Sequence, residues 1–463
     1  MTATISRQVH VPRIAARSRS AFVLWIAGYT AFVILPLPLG LIDLDPGRGF
    51  WTNLSVALGF VGLSMFGMQF LMAARSSVVS HPVGMDTVLR FHRQMAYLAT
   101  ILVFAHPIIL FLLDGRYLGL LEVFSSPLRA KFAVAACAAL LLVIGLSVFR
   151  QRLRMRYDTW QLTHAVLALV VVGAALVHVL LVDYYVRQPW EQALWIALSA
   201  AFVALGVWVR IVKPLLRRHR RWSVTDIVHE AGGATTIGLQ LKNPGAYGAR
   251  GFRFEAGQFA WIQARRSPFA LTYHPFSFSS SDEHPDRVTF TVKQYDGFSR
   301  EVADLQVGEI VYLDGPFGSF VLPDGRPLVL VAAGVGVTPL LSMLETLADR
   351  GSTLPMTLWL GNRDEASITC GEQLASLQAR MDLDVVHVLS HPGAGWSGAV
   401  GRIDESFVSD RLAYSEDDVP GLSLRDRVYL ICGPSRMMDA VERALVAGGL
   451  RSSQIRSERF EMV

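Results

Sequence analysis

The sequence predicts a membrane protein in unlike parts: a six-helix, all-α transmembrane bundle, then an antiparallel β-barrel domain and an α/β parallel-sheet domain. Three observations predict this. Six apolar runs fill residues 21–213, the composition changes abruptly at Trp222, and from Pro327 buried strands alternate with glycine turns and helices. Charged residues make up only 17% of the 463 residues, against about 25% in ordinary soluble domains. Mean hydropathy is +0.37.

The apolar runs lie at 21–41, 54–74, 88–113, 132–149, 160–182 and 193–212. Each is close to the roughly 20 residues a helix needs to cross a bilayer. Residues 1–20 carry Arg7, Arg13, Arg17 and Arg19 and superficially resemble a signal peptide. The run that follows is too long and lacks a clear small-residue cleavage site, so it reads as a retained first helix behind a cytoplasmic segment. The connections alternate in charge. Through Trp222 there are 22 Lys/Arg and 8 Asp/Glu, and 17 of the 22 fall on the side of the amino terminus. Lys/Arg excess marks the cytoplasmic face, so both termini are expected inside, in a cell (plasma or inner) membrane. A pI near 9.2 would suit nucleic acid, but the basic residues flank apolar runs instead of forming one patch, and no nucleic-acid partner is expected. Cys137, Cys370 and Cys432 are scattered and odd in number, with neither a disulfide framework nor zinc spacing.

After the cluster Arg217, Arg218, Arg220, Arg221 the chain turns mildly acidic. Residues 222–324 show short alternating segments. In RVTFTVKQY, Val288, Phe290 and Val292 alternate with Thr289, Thr291 and Lys293, the period of half-buried strands. Residues 325–463 open with PLVLVAAGVGVTPLLSMLETL, a continuous apolar strand, a glycine turn and a helix, which is the βα unit of a parallel sheet.

Four histidines fall inside predicted spans. His92 and His106 lie 14 residues apart in the third, and His164 and His178 lie 14 apart in the fifth. Fourteen residues turn a helix by about 1400°, within roughly 40° of four full turns, and rise about 21 Å. Spans three and five cross in the same direction, so His92 is level with His164 and His106 with His178. Two imidazoles facing at one depth hold a haem iron axially, and two levels stack two haems. Electron transfer accounts for such costly side chains in lipid. The competing reading is four separate packing histidines, or a proton relay; the equal intervals on parallel spans favour the pairs. Pro107 follows His106 and is expected to loosen the helix there.

In the soluble half, HPFSFSS (residues 274–280) offers hydroxyls and aromatics suited to a planar cofactor, though a serine-rich turn would look alike. Gly297 and Ser299 follow a strand and open a short helix that would bind phosphate, or form a plain hairpin turn. GVGVTP, residues 334–339, sits between a buried strand and a helix. Its glycines let the backbone approach a pyrophosphate and Pro339 begins the helix well, although the GxGxxG pattern is incomplete. ICGPSRMM (residues 431–438) is a second strand and small-residue turn. Two such turns at the carboxyl ends of parallel strands form a dinucleotide crevice. Arg363, after a third strand, suits a 2′-phosphate, while Asp364 beside it leaves NADH open as well as NADPH.

In this order the paired histidines, HPFSFSS, GVGVTP and ICGP resemble the NADPH oxidase and ferric reductase superfamily over nearly the whole chain. The resemblance implies a ferric-reductase membrane domain (residues 21–213), an FAD-binding barrel (222–324) and an NAD(P)-binding lobe (325–463). It implies that His92, His106, His164 and His178 ligate two b-type haems. His274, Pro275, Phe276 and Ser277, with Ser279 and Ser280, match the flavin motif. Gly334, Gly336, Thr338 and Pro339 match the nucleotide turn. Cys432, Gly433 and Pro434 match the motif near the nicotinamide, and Phe460 matches the aromatic that covers the flavin, although Glu461, Met462 and Val463 follow it. Cys432 and Phe460 are the catalytic candidates.

The function expected is transfer of electrons from NADPH through FAD and two haems to dioxygen or a ferric chelate on the far side. The alternatives are supply of electrons to a partner protein outside, or a non-redox scaffold with vestigial motifs.

Overall fold

The computed structural model describes residues 18–40, 48–74, 85–122, 124–182, 184–249, 251–264, 267, 269, 274–294, 301–302, 304–323, 325–414 and 423–459. It divides into two units, Met1–Gly206 and Val207–Val463.

The first unit is helical: α1 (Ser18–Ile34), α2 (Phe50–Ala73), α3 (Met85–Leu113), α4 (Leu128–Val148), α5 (Tyr157–Val182) and α6 (Pro189–Val207). Five stretches are long and apolar enough to cross a membrane: Phe50–Ala73, Thr87–Leu113, Leu128–Val148, Thr159–Val182 and Pro189–Arg217. The first predicted run differs. Its helix stops at Ile34 and a separate five-residue helix, Pro36–Gly40, follows, because Pro36 and Pro38 lack the N–H groups that would continue the first. By contrast α3 runs on through Pro107. Large apolar side chains face outward, with Leu112 82% exposed, while Ala99, Leu140 and Met72 are buried. Apolarity all round is the mark of a helix solvated by lipid. Small residues bring the helices close: a β-carbon on Gly67 would overlap the Phe202 ring.

The second unit holds two sheets. β1 (Arg221–Glu230), β2 (Ala234–Leu241), β3 (Phe259–Gln263), β4 (His274–Ser277), β5 (Arg287–Lys293) and β6 (Ile310–Phe317) form an antiparallel sheet in the order β4-β3-β6-β1-β2-β5. Just past β4, Phe278 bridges to Phe290 of β5. The alternation read in β5 is real: Val288, Phe290 and Val292 are at most 1% exposed, each burial worth about 1.5–3 kcal/mol.

The other sheet is parallel, in the order β10-β9-β8-β7-β11-β12, from β7 (Leu328–Ala333), β8 (Met356–Asn362), β9 (Leu383–Leu389), β10 (Ala399–Val400), β11 (Val428–Cys432) and β12 (Ile455–Glu458). Helices α7 (Thr338–Asp349) and α8 (Gly371–Arg380) cover one face, and α9 (Glu405–Tyr414) and α10 (Ser435–Ala447) cover the other. Coverage on both faces is why these strands are apolar without alternation.

Two seams tie the sheets' lobes together. At one, Ser342 Oγ donates to the Ser280 carbonyl at 2.6 Å, and Arg350 pairs with Asp282 (2.9 Å) and Glu283 (2.6 Å). At the other, the Cys370 N–H donates to Glu230 at 3.2 Å.

Candidate functional site

Helices α3 and α5 bring the four histidines together in two pairs. The rings of His92 and His164 lie 6.4 Å apart between centroids, and those of His106 and His178 also 6.4 Å. A metal about 2 Å from one nitrogen of each ring puts the centroids roughly 6–6.5 Å apart. Each pair therefore has the spacing for one ion. Among the described residues no group of three or more His, Cys, Asp or Glu side chains gathers, so further ligands would come from a group the chain does not supply, as in a porphyrin.

Hydrogen bonds settle which ring nitrogen is available. His106 Nδ1 lies 3.0 Å from the Ser55 carbonyl, which only accepts, so Nδ1 carries the proton and Nε2 keeps its lone pair. The Ser55 hydroxyl sits 2.9 Å from the same nitrogen and donates to the His106 carbonyl at 2.8 Å. His178 Nδ1 donates to the Arg129 carbonyl at 3.0 Å. His164 Nδ1 donates to Ser147 Oγ at 3.2 Å, whose own proton goes to the Val143 carbonyl at 2.7 Å. His92 abuts the Gln69 backbone, its Nδ1 without a hydrogen bond of full geometry. Such partners orient the ring and raise its basicity toward a metal.

Sequence reasoning missed these partners. Ser55 and Gln69 are themselves 14 residues apart on α2, opposite His106 and His92, so the interval that exposed the histidines was present once more. Ser147 is a lone hydroxyl in an apolar run.

In the antiparallel sheet, β4 carries His274, Pro275, Phe276 and Ser277 against β3, with Ile262 opposite His274 and Phe259 opposite Ser277. Ser279 and Ser280 have other work. Ser279 is fully buried with its hydroxyl 2.8 Å from Thr289 Oγ1, and Ser280 Oγ accepts from the Thr289 N–H at 3.1 Å. They fix the turn after β4 against β5.

The two glycine turns meet. Gly334 adopts φ +53°, a left-handed conformation that glycine takes without strain. Gly336 is needed for space: a β-carbon there would stand 2.5 Å from the Cys432 carbonyl oxygen and 2.9 Å from Gly433 Cα. The Thr338 hydroxyl donates to the Val335 carbonyl at 2.6 Å, holding the turn that Pro339 leads into α7. Gly433 and Pro434 lead likewise into α10. Cys432 is fully buried, and burial first, then the Glu458 carboxylate, push its thiol well above the usual range. It is protonated at neutral pH. Glu458, opposite Cys432 in β12, was also missed, although it stands two residues before the predicted Phe460. Arg363 follows β8, whose Gly361 is in register with Ala333; its side chain is 77% exposed, at the same sheet end as the glycine turn. Gly297, Ser299 and Phe460 lie outside the described residues.

Three family models match the chain: "Ferric reductase like transmembrane component" over residues 58–175, "FAD-binding domain" over 230–319 and "Oxidoreductase NAD-binding domain" over 330–443. With the five apolar helices, the first marks an integral membrane part. Among curated proteins, the reductase component of propane 2-monooxygenase from Mycolicibacterium goodii is 30% identical over 232 residues, 48% of this chain and 63% of that protein. NADH-cytochrome b5 reductase 1 of Pyricularia oryzae is 30% identical over 183 residues, 38% of this chain and 57% of that protein. The chain thus spans less than two thirds of the length of these relatives. Among solved structures, the ferredoxin reductase in carbazole 1,9a-dioxygenase aligns with a TM-score of 0.43 at 20% identity, covering 52% of this chain and 69% of that one. Met in this order along one chain, the three family models match the NADPH oxidase and ferric reductase superfamily.

Proposed function

We propose that this protein is an NAD(P)H-dependent oxidoreductase that carries electrons from cytoplasmic NAD(P)H through FAD and two b-type haems to an acceptor across a cell membrane. One observation carries the reading: two histidine pairs with equal 6.4 Å ring spacing, whose hydrogen bonds leave Nε2 of His106, His164 and His178 ready to bind iron. The six-span bundle and a closed flavin barrel belong to this reading, and the Phe278–Phe290 bridge supports closure.

Residues present fit each group. His92 with His164, and His106 with His178, would hold the haems, which relay single electrons. His274, Pro275, Phe276 and Ser277 would hold the flavin, which takes a hydride and releases its electrons one at a time. The backbone of Gly334 and Gly336 and the α7 amino terminus would bind pyrophosphate through free N–H groups, helped by the helix dipole. Cys432, Gly433 and Pro434 would border the nicotinamide, and Phe460 would cover the flavin. The protonated Cys432 thiol keeps charge away from that position. Arg363 would meet a 2′-phosphate. An electron moving outward also travels down a negative-inside potential, worth about 2.3 kcal/mol per 100 mV.

Dioxygen and ferric chelates are the acceptors proposed. A second reading has a specific observation behind it: curated relatives are named as reductase components of monooxygenases, which favours a cytochrome that feeds a partner enzyme. The experiment that tests both is a dithionite-reduced spectrum of the purified protein, followed by NADPH consumption with oxygen and then ferric citrate. Two low-spin b-haem signals with oxygen- or ferric-dependent turnover support the first reading. Two haems with turnover only on adding a partner support the second. A colourless protein overturns both.

A further inference from the structure

Two buried polar side chains, one on a residue that abuts His92 and one packed on its neighbour Phe91, have no partner among the described residues. Gln69 of α2 is 8% exposed, and neither its amide nitrogen nor its oxygen makes a hydrogen bond. Tyr29 of α1 is 7% exposed, and its hydroxyl makes none either. Both stand at the level of the inner tier. The Gln69 backbone abuts His92, and the Tyr29 ring meets Phe91, the residue before His92, edge-on at 5.1 Å.

A primary amide and a phenol left unpaired inside an apolar bundle are costly, and native structures rarely keep them so. The contrast with the other tier sharpens the point. There, Ser55 takes the place that Gln69 takes here, and both its carbonyl and its hydroxyl are engaged by His106. At the inner tier the two leftover groups are both hydrogen-bond donors, from two helices flanking α3. A haem brings carboxylates on one edge of its ring, and these accept such bonds.

We propose that Gln69 and Tyr29 bind the carboxylate edge of the inner haem and act as positioning residues for it. This rests on the two-haem reading above. It makes the inner pocket a four-helix site: α3 and α5 supply the axial imidazoles, and α1 and α2 hold the ring's polar edge from the side. Without these donors the carboxylate charge is less well neutralised, which favours ferric over ferrous iron.

The test uses the full-length purified protein with Gln69→Leu and Tyr29→Phe, read by optical redox titration and by haem transfer to apomyoglobin. One of the two midpoint potentials should fall in each variant and the other should hold. Loss of the affected haem should be about fivefold faster for each hydrogen bond removed. Should Gln69→Leu fail to fold, Tyr29→Phe, which keeps the ring on Phe91, decides alone. Two haems with wild-type potentials and retention in the folded variants overturn this proposal and leave the two-haem reading standing. A wild-type protein without haem overturns that reading and this proposal together.

Discussion

Gly336 lies so close to Cys432 that a β-carbon on the glycine would stand 2.5 Å from the cysteine carbonyl oxygen. The obstacle is backbone, on a strand held between β7 and β12, and so has little freedom to move aside. Gly336→Ala should therefore push the nucleotide turn away from the Cys432–Pro434 turn. The overpacking costs about 1–3 kcal/mol. In NADPH:ferricyanide assays the KM for NADPH should rise while bound FAD, whose proposed residues lie in the other lobe, stays at wild-type content. An unchanged KM would mean that the two turns do not bind one nucleotide.

His106→Leu tests the outer pair. It removes one proposed axial ligand and the imidazole that donates to the Ser55 carbonyl, while the Ser55 hydroxyl keeps its bond to the backbone carbonyl of position 106. One of two haem signals should vanish, and reduction of an external acceptor should stop while NADPH:dye activity persists. Ser147→Ala is the milder companion at the inner pair. His164 Nδ1 loses its acceptor, and loss of such an outer partner costs about 10–100-fold in metal affinity. Activity toward an external acceptor with both haem spectra intact in His106→Leu would refute its role as a ligand.

How much of this was legible beforehand follows from geometry. A helix converts sequence interval into direction and height, so the 14-residue spacing of His92 to His106 and of His164 to His178 already implied two tiers. What stands beside each ring depends on which helices pack together, and nothing local to His106 points to Ser55, 51 positions away. The same limit applies to Cys432. Its motif was readable, but Glu458 reaches it only because β12 pairs with β11 in parallel, and strand order is a tertiary fact. HPFSFSS was legible as a strand entering a turn; that Ser279 and Ser280 lock the turn onto Thr289 was not, since β5 supplies the partner. The first run reads as one continuous helix, whereas the structure divides it in two at Pro36.

Asp314 is the anchor of the second unit's first turn. Its carboxylate is 7% exposed and pairs with Lys213 at 3.0 Å and with Arg217, itself 7% exposed. Removing one partner of a buried ion pair strands the others, at a cost of about 3–5 kcal/mol. Asp314→Ala should lower the FAD-release temperature on heating, with Asp314→Asn intermediate because its amide oxygen still accepts. A melting curve indistinguishable from wild type would show that the cluster is solvated.

Cys370 sets a pH dependence. Burial first, then the nearby Glu230 carboxylate, push its thiol up to about 12, from about 8.5 in an unfolded chain. The folded state thus holds this proton more tightly than the unfolded one. Its contribution is whole below about pH 8.5 and is lost as pH rises toward 12. Melting temperature should fall between about pH 9 and 11, and by less in Cys370→Ala than in wild type. At pH 7.5 the same thiol and Cys432 should resist alkylation until the protein is unfolded. Equal slopes in the two proteins would place the alkaline transition elsewhere.

Arg363 is the residue proposed to select the coenzyme. Its side chain is 77% exposed at the carboxyl end of β8, and Asp364 Oδ2 lies 4.0 Å from its Nε, too far for a hydrogen bond to occupy the guanidinium. The backbone beneath it is fixed, with the His391 N–H donating to the Arg363 carbonyl at 2.7 Å and the Arg363 N–H donating to Ser367 Oγ at 3.1 Å. A guanidinium on a rigid base beside the nucleotide turn suits a phosphate, since charge-assisted bonds of this kind are about twice as strong as neutral ones. The opposing force is Asp364, which repels a 2′-phosphate and would accept from the 2′-hydroxyl of NADH. Arg363→Ala should raise the KM for NADPH about tenfold or more, the loss of one such contact of about 1.5–3 kcal/mol. The KM for NADH should barely move, and Asp364→Asn should shift preference toward NADPH. Equal losses with both coenzymes would make Arg363 a support of the loop instead of a reader of the phosphate.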